Sequence, residues 1–135
     1  MDIEKIINIA TLAGEKILDI YKKDTANVKI KNDGSPVTTA DLAANKIICD
    51  ILTALTPDIP ILSEESIDQI NRSERQKWSK FWLIDPLDGT KEFINKTDEF
   101  TVNIALIDQG EPVLGVVYAP ALKKTYFAKK GHGAF

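Results

Sequence analysis

Phe81-Trp82-Leu83-Ile84-Asp85-Pro86-Leu87-Asp88-Gly89-Thr90 runs from apolar residues straight into two acids that bracket a proline. The apolar part reads as a strand, Phe81 to Ile84, ending at Asp85. Pro86 fixes one backbone angle and donates no N–H, so the turn can hold two carboxylates and the carbonyl of Leu87 around one point. Oxygen donors of this kind suit a hard divalent cation such as Mg²⁺. Gly89 lets the backbone approach a ligand closely, and the N–H groups of Gly89, Thr90 and a short helical segment at Lys91 to Asn95 can meet a phosphate. Cation and phosphate would share one site. Asp-Pro and Asp-Gly are also ordinary turns, and Asp88 alone would serve as a helix cap.

Upstream, Ile59 to Leu62 is a second short apolar run, and it leads to Glu64-Glu65. If the two strands are neighbours, their ends crowd four acids together. Two like charges about 4 Å apart repel by about 4 kcal/mol at an effective dielectric of 20. A bound dication removes that repulsion; otherwise the acids must splay into solvent.

The rest of the chain supplies the layers. Ile6, Ile7, Ala10, Ala13, Ile17, Ile20 and Tyr21 recur at three- and four-residue steps, which predicts a helix over residues 2 to about 22. A loop follows to Thr38, with the turn Asn32-Asp33-Gly34-Ser35-Pro36 and a short strand at Val28 to Lys31. A second helix carries Ala40, Ala43, Ala44, Ile47, Ile48, Ile51, Leu52 and Leu55 on one side, capped by Thr38 or Thr39 and closed at Thr56-Pro57. Asp68 to Lys80 is polar and reads as an exposed, partly helical excursion. Phe100–Ile107, Val113–Ala119 and Thr125–Ala128 read as successive hairpin strands. The fold class is α/β of the α+β kind: two helices packed on a mainly antiparallel sheet.

Composition excludes several functions. The chain has 135 residues, 44% hydrophobic and 27% charged, the content of one globular domain. Its 17 Lys plus Arg against 20 Asp plus Glu leave a net charge of −3, with no basic field for a nucleic acid polymer. Cys49 is the single cysteine, so no internal disulfide forms and a reducing cytoplasm fits. The start, Met1-Asp2-Ile3-Glu4-Lys5, lacks a secretory pattern, and no apolar run reaches the roughly 18 residues of a membrane span. Peripheral contact with the cytoplasmic face of a membrane stays open on composition alone.

The stretch Trp82 to Phe93 resembles the signature of the lithium-sensitive, magnesium-dependent phosphatase superfamily that includes the inositol monophosphatases. Pro36-Val37-Thr38-Thr39-Ala40-Asp41 and Ser63-Glu64-Glu65 resemble its two upstream motifs, in the expected order. Lys91-Glu92-Phe93 and Glu99-Phe100-Thr101-Val102-Asn103-Ile104-Ala105 are most similar to the 3'(2'),5'-bisphosphate nucleotidases of CysQ type. The resemblance implies the N-terminal lobe of the layered αβαβα sugar-phosphatase fold. It implies a phosphomonoesterase that converts adenosine 3',5'-bisphosphate to AMP and phosphate, a step associated with sulfate assimilation. An inositol or sugar monophosphatase is the alternative.

The same resemblance implies roles. Glu64, Asp85 and the Leu87 carbonyl would hold a first Mg²⁺, and Asp85 with Asp88 a second, with two or more in a complete site. Asp41 and Thr90 would activate the attacking water. Gly89 and Thr90 would hold the scissile phosphate, Glu64 would also take part in catalysis and substrate binding, Lys91 would lie near substrate, and Glu65 would stand behind the ligands or assist a further metal. Family members are about twice as long, and a further metal-binding Asp comes from their second half. The ending at Gly131-His132-Gly133-Ala134-Phe135 therefore reads as a truncation, making residues 1–135 a metal- and phosphate-binding lobe. A catalytically incomplete fragment that binds only a cation or a partner chain is a further reading, and an open strand edge at Phe135 would favour association.

Four other features are expected to be structural. His132 lies between glycines in a terminal turn, and Cys49 is a small packed residue of the second helix. Trp78 and Trp82 pack around an apolar strand. Lys123, Lys124, Lys129 and Lys130 flank a solvated hairpin.

Overall fold

A computed structural model describes residues 2–23, 27–30, 36–65 and 71–135. Helix α1 spans Ile3–Lys23 and buries Ile6, Ile9, Ala10, Ala13, Ile17 and Leu18 along one face. Glu4 lies in its first turn and Lys22 and Lys23 in its last, matching the helix dipole. Gly14 lets α1 lie close to the sheet: a Cβ there would stand 2.3 Å from the ring of Tyr118.

Strands β1 (Val28–Ile30) and β2 (Pro36–Thr38) form a small antiparallel ribbon. The expected strand Val28 to Lys31 is thus found to Ile30; Lys31 and the turn at Asn32 to Ser35 lie outside the described residues. The second strand of this ribbon was expected as loop. Helix α2, Thr39–Leu55, starts from a reciprocal cap in which Thr38 and Asp41 satisfy each other's backbone N–H groups. Its end is closed by the Thr56 N–H donating to Leu52.

The main sheet has the order β3-β4-β5-β6-β7. Its strands are Ile61–Ser63, Lys80–Asp88, Thr101–Asp108, Glu111–Ala119 and Lys124–Lys129. β3 runs parallel to β4, and every other pair is antiparallel. Along β4 to β6, Trp82, Ile84, Val102, Ile104, Leu106, Leu114 and Val116 alternate onto the buried face and join the α1 and α2 residues in one core. The opposite face leaves Leu83, Val117 and Tyr126 exposed.

Several strand boundaries differ from expectation. β3 begins at Ile61 rather than Ile59, and β4 does not stop at Ile84 but continues to Asp88. Asp85 pairs with Asn103 while Asp88 pairs with Thr101, so β4 spends one residue more than β5 across this interval. That is a bulge, and it absorbs Pro86, which could not donate to a regular ladder.

The excursion after β3 contains one short helix, α3 (Arg72–Arg75); residues 66–70 lie outside the described residues. Helix α4, Thr90–Ile94, follows β4 directly and matches the expected Lys91 to Asn95 within one residue. At the other end of the sheet, the Phe135 N–H and C=O exchange bonds of 2.8 and 3.0 Å with Phe127. The last residues therefore cover part of the β7 edge expected to be open. No described helix is long and apolar enough to cross a membrane.

Candidate active site

The parallel pairing of β3 with β4 brings the two acidic strand ends side by side. Ser63 is in register with Ile84, and the Glu64 N–H donates to the Ile84 carbonyl at 3.1 Å, continuing the pairing toward Asp85. Asp85 feels the result. Burial first, then the charges of Asp88, Glu64 and Glu65, push its carboxyl up to about 6, and a backbone bond from Leu87 offsets this only in part. Among the described residues, no lysine or arginine forms an ion pair with Asp85, Asp88 or Glu64.

Glu65 is tied in differently: its N–H donates to Ser63 Oγ at 3.2 Å, and the Ser63 hydroxyl donates to Asn45 Oδ1 on α2. Asp88 lies exposed on the far side of the bulge, where Asn103 Nδ2 donates to its Oδ2 at 3.3 Å. Leu87 between them is 2% exposed, so its side chain anchors the bulge in the core.

Asp41 approaches the same turn from α2. It is fully buried, and its Oδ2 accepts from the Thr38 N–H at 2.8 Å and the Thr38 hydroxyl at 2.6 Å. Its Oδ1 accepts from the Thr90 hydroxyl at 2.9 Å. Thr90 Oγ1 also lies 3.3 Å from the Leu87 carbonyl, but one hydroxyl proton serves one acceptor well, and the shorter contact to the carboxyl wins. Two residues 49 apart in sequence thus meet in the site.

Gly89, between Asp88 and Thr90, has φ +90, and a Cβ there would stand 2.7 Å from the Glu99 carbonyl. Only glycine makes this bend without displacing the Glu99 carbonyl just ahead of β5. Lys91 is exposed on α4, with no described bond to the acids.

The donors around the bulge are all oxygens and carry excess negative charge, a chemistry that fits a hard dication. Among the described residues, no three His, Cys, Asp or Glu side chains already converge as a metal cage. Glu64 and Asp88 are exposed, and exposed side chains change rotamer readily.

The sequence reading gave no role to Asn103 or Thr101, nor to the grip of Thr38 on Asp41. The last was written in the Thr38-x-x-Asp41 spacing of a capping box. The others were marked by two polar residues alternating along an apolar strand and by their place in the Glu99 to Ala105 resemblance, neither of which assigns a role.

The residues expected to be structural are so placed. Trp82 is fully buried, with Nε1 donating to Thr56 Oγ1 at 2.9 Å. Trp78 packs on Phe81 at 6.1 Å between ring centroids. Burial, and then the charge of Asp50, push the Cys49 thiol up, away from nucleophilic character. His132 is exposed in the terminal turn, and Lys130 forms an exposed 2.7 Å ion pair with Glu111.

The acid-rich strand bulge leads into a glycine bend beside the Thr90–Asp41 pair, and comparison with known proteins gives the family. Residues 2–135 match the Inositol monophosphatase family, and the chain belongs to it. The 3'(2'),5'-bisphosphate nucleotidase CysQ of Salmonella typhimurium is 53% identical over 130 residues, 96% of this chain and 52% of that protein. The solved structure of CysQ from Bacteroides thetaiotaomicron matches with a TM-score of 0.78 at 46% identity, covering 95% of this chain and 45% of its own. The Thermotoga maritima IMPase matches with a TM-score of 0.86 at 32% identity, covering 98% and 50% respectively. The chain spans about half the length of the curated relatives it matches.

Proposed function

We propose that this chain carries the metal- and phosphate-binding lobe of a Mg²⁺-dependent phosphomonoesterase that hydrolyses adenosine 3',5'-bisphosphate to AMP and phosphate. The observation that carries the reading is the 2.9 Å bond from Thr90 to buried Asp41 beside the acidic bulge. The identity to CysQ nucleotidases supports the nucleotide as substrate. A cytoplasmic role linked to sulfate assimilation goes with that substrate.

Glu64, Asp85, the Leu87 carbonyl and Asp88 would hold the cation. When bound, Mg²⁺ supplies Lewis acidity, lowering the pKa of the attacking water and neutralising charge on the phosphate. The remaining work falls to the chain itself. Thr90, donating to Asp41, keeps its own oxygen lone pairs for the water, and Asp41 accepts the proton that the pair draws off. The Gly89 bend and the N–H groups opening α4 hold the phosphate, with Lys91 adding positive charge at its rim. Glu65, fixed through Ser63, backs the Glu64 turn.

The test compares phosphate release from adenosine 3',5'-bisphosphate and inositol 1-phosphate by this chain in Mg²⁺. Faster release from the nucleotide is expected. Preference for inositol 1-phosphate moves the chain to the inositol phosphatases, and release from neither substrate overturns the catalytic reading.

A further inference from the structure

The segment Glu99 to Ala105 resembles the nucleotidases yet has no role in the mechanism above. It leads into and opens β5, where Val102 and Ile104 turn into the core, so that Thr101 and Asn103 stand on the other face. Asn103 is in register with Asp85, but its side chain reaches past the bulge to the other acid. Nδ2 donates to Asp88 Oδ2 at 3.3 Å, and the Thr101 hydroxyl donates to Asn103 Oδ1 at 3.0 Å.

These two bonds fix the amide's direction. Flipped, the amide would set its Oδ1 against a carboxylate oxygen, acceptor facing acceptor. The Asp88 carboxylate thus selects the orientation in which Asn103 presents a donor, and the Thr101 hydroxyl, donating to Oδ1, holds the amide there. Among the described residues Asp88 has no other hydrogen-bond donor.

We propose that Asn103, locked by Thr101, is a positioning residue for the cation site. It engages Oδ2 of Asp88 and leaves Oδ1 for the cation, and it restrains an otherwise exposed side chain before binding. A carboxylate already oriented loses less rotamer freedom when it becomes a ligand. The inference rests on reading Asp88 as a cation ligand, and its test separates the two.

Mg²⁺ affinity of the chain is measured by calorimetry for wild type, Asn103→Leu, Thr101→Val, Asp88→Asn and the double variant Asn103→Leu/Asp88→Asn. Thermal melts in EDTA establish that each is folded at the titration temperature. Asn103→Leu is expected to weaken Mg²⁺ about tenfold, the lower end for loss of a group that orients a metal ligand. Thr101→Val, which keeps the amide but unlocks it, weakens binding in the same direction by less. The double variant binds no worse than Asp88→Asn alone, because Asn103 acts through Asp88. Wild-type affinity in both Asn103→Leu and Thr101→Val, or losses that simply add in the double variant, overturns the positioning role. Wild-type affinity in Asp88→Asn overturns instead the ligand reading beneath it. Should Asn103→Leu fail to fold, Thr101→Val decides alone.

Discussion

Asp41 and Asp85, two carboxyls of the candidate site, receive opposite treatment. Asp41 is fully buried yet accepts from the Thr38 N–H, the Thr38 hydroxyl and the Thr90 hydroxyl. Asp85 accepts a backbone bond from Leu87 but faces Asp88, Glu64 and Glu65, and its carboxyl is pushed up to about 6. Protein donors complete the first carboxyl, whereas the second keeps uncompensated repulsion that a cation would relieve under the proposed function. Under the proposed function the difference matches two tasks: a proton acceptor must be held in one geometry throughout, while a metal ligand must be able to lose its ion.

Replacing the under-compensated member should do the most damage to turnover. Asp85→Asn removes a charged ligand, and phosphate release in Mg²⁺ is expected to fall by about a thousandfold, roughly 4 kcal/mol of transition-state stabilisation. The cation-free protein should nevertheless melt higher, because a half-buried source of repulsion has gone. A variant that keeps wild-type turnover would remove Asp85 from the chemistry.

Thr90→Val strikes the other member. It deprives buried Asp41 of one donor, and a rate loss on the order of a hundredfold is expected, the lower range for general acid–base assistance. Stability should fall by about 1–3 kcal/mol, the cost of an unsatisfied buried group. Thr90→Ser restores the hydroxyl and should recover most of both. If Ser and Val variants behave alike in phosphate release and in melting, the Thr90–Asp41 bond has no part in either.

How much of this contrast was legible follows from range and pattern. α1 and α2 were readable because long apolar stripes at helical period admit one interpretation, and β5 to β7 because alternation does the same. β2 was not, since Pro36-Val37-Thr38 is too short to show a period. The continuation of β4 past Ile84 was hidden by Pro86, which reads as a strand terminator until a bulge removes the need for its N–H. Asp85, Asp88, the Leu87 carbonyl and Gly89 could be read locally. Asp41 with Thr90 came only through family resemblance, because no local rule joins residues 49 apart. Asn103 went unread because its partner, Asp88, is set by the strand register.

The smallest effect expected is on the pH dependence of stability, and its sign tests the contrast directly. An unfolded Asp titrates near 3.8, and folded Asp85 near 6. Below about pH 4 both states hold the proton and folding bears no penalty. As pH rises toward 6 the unfolded chain releases the proton while the folded one retains it, so stability is lost across this window and the loss is complete above it. Asp85 is partly exposed, and solvent screening keeps the change to a few degrees of melting temperature. Melts in EDTA at pH 4.5 and 7.5, for wild type and for Asp85→Asn, isolate the contribution, because every other carboxyl titrates in both. The wild type should lose more on going to pH 7.5, and Mg²⁺ should reverse that difference by binding the ionised form. Parallel pH profiles in EDTA would mean that Asp85 is as well compensated by the protein as Asp41, and the two carboxyls would no longer differ.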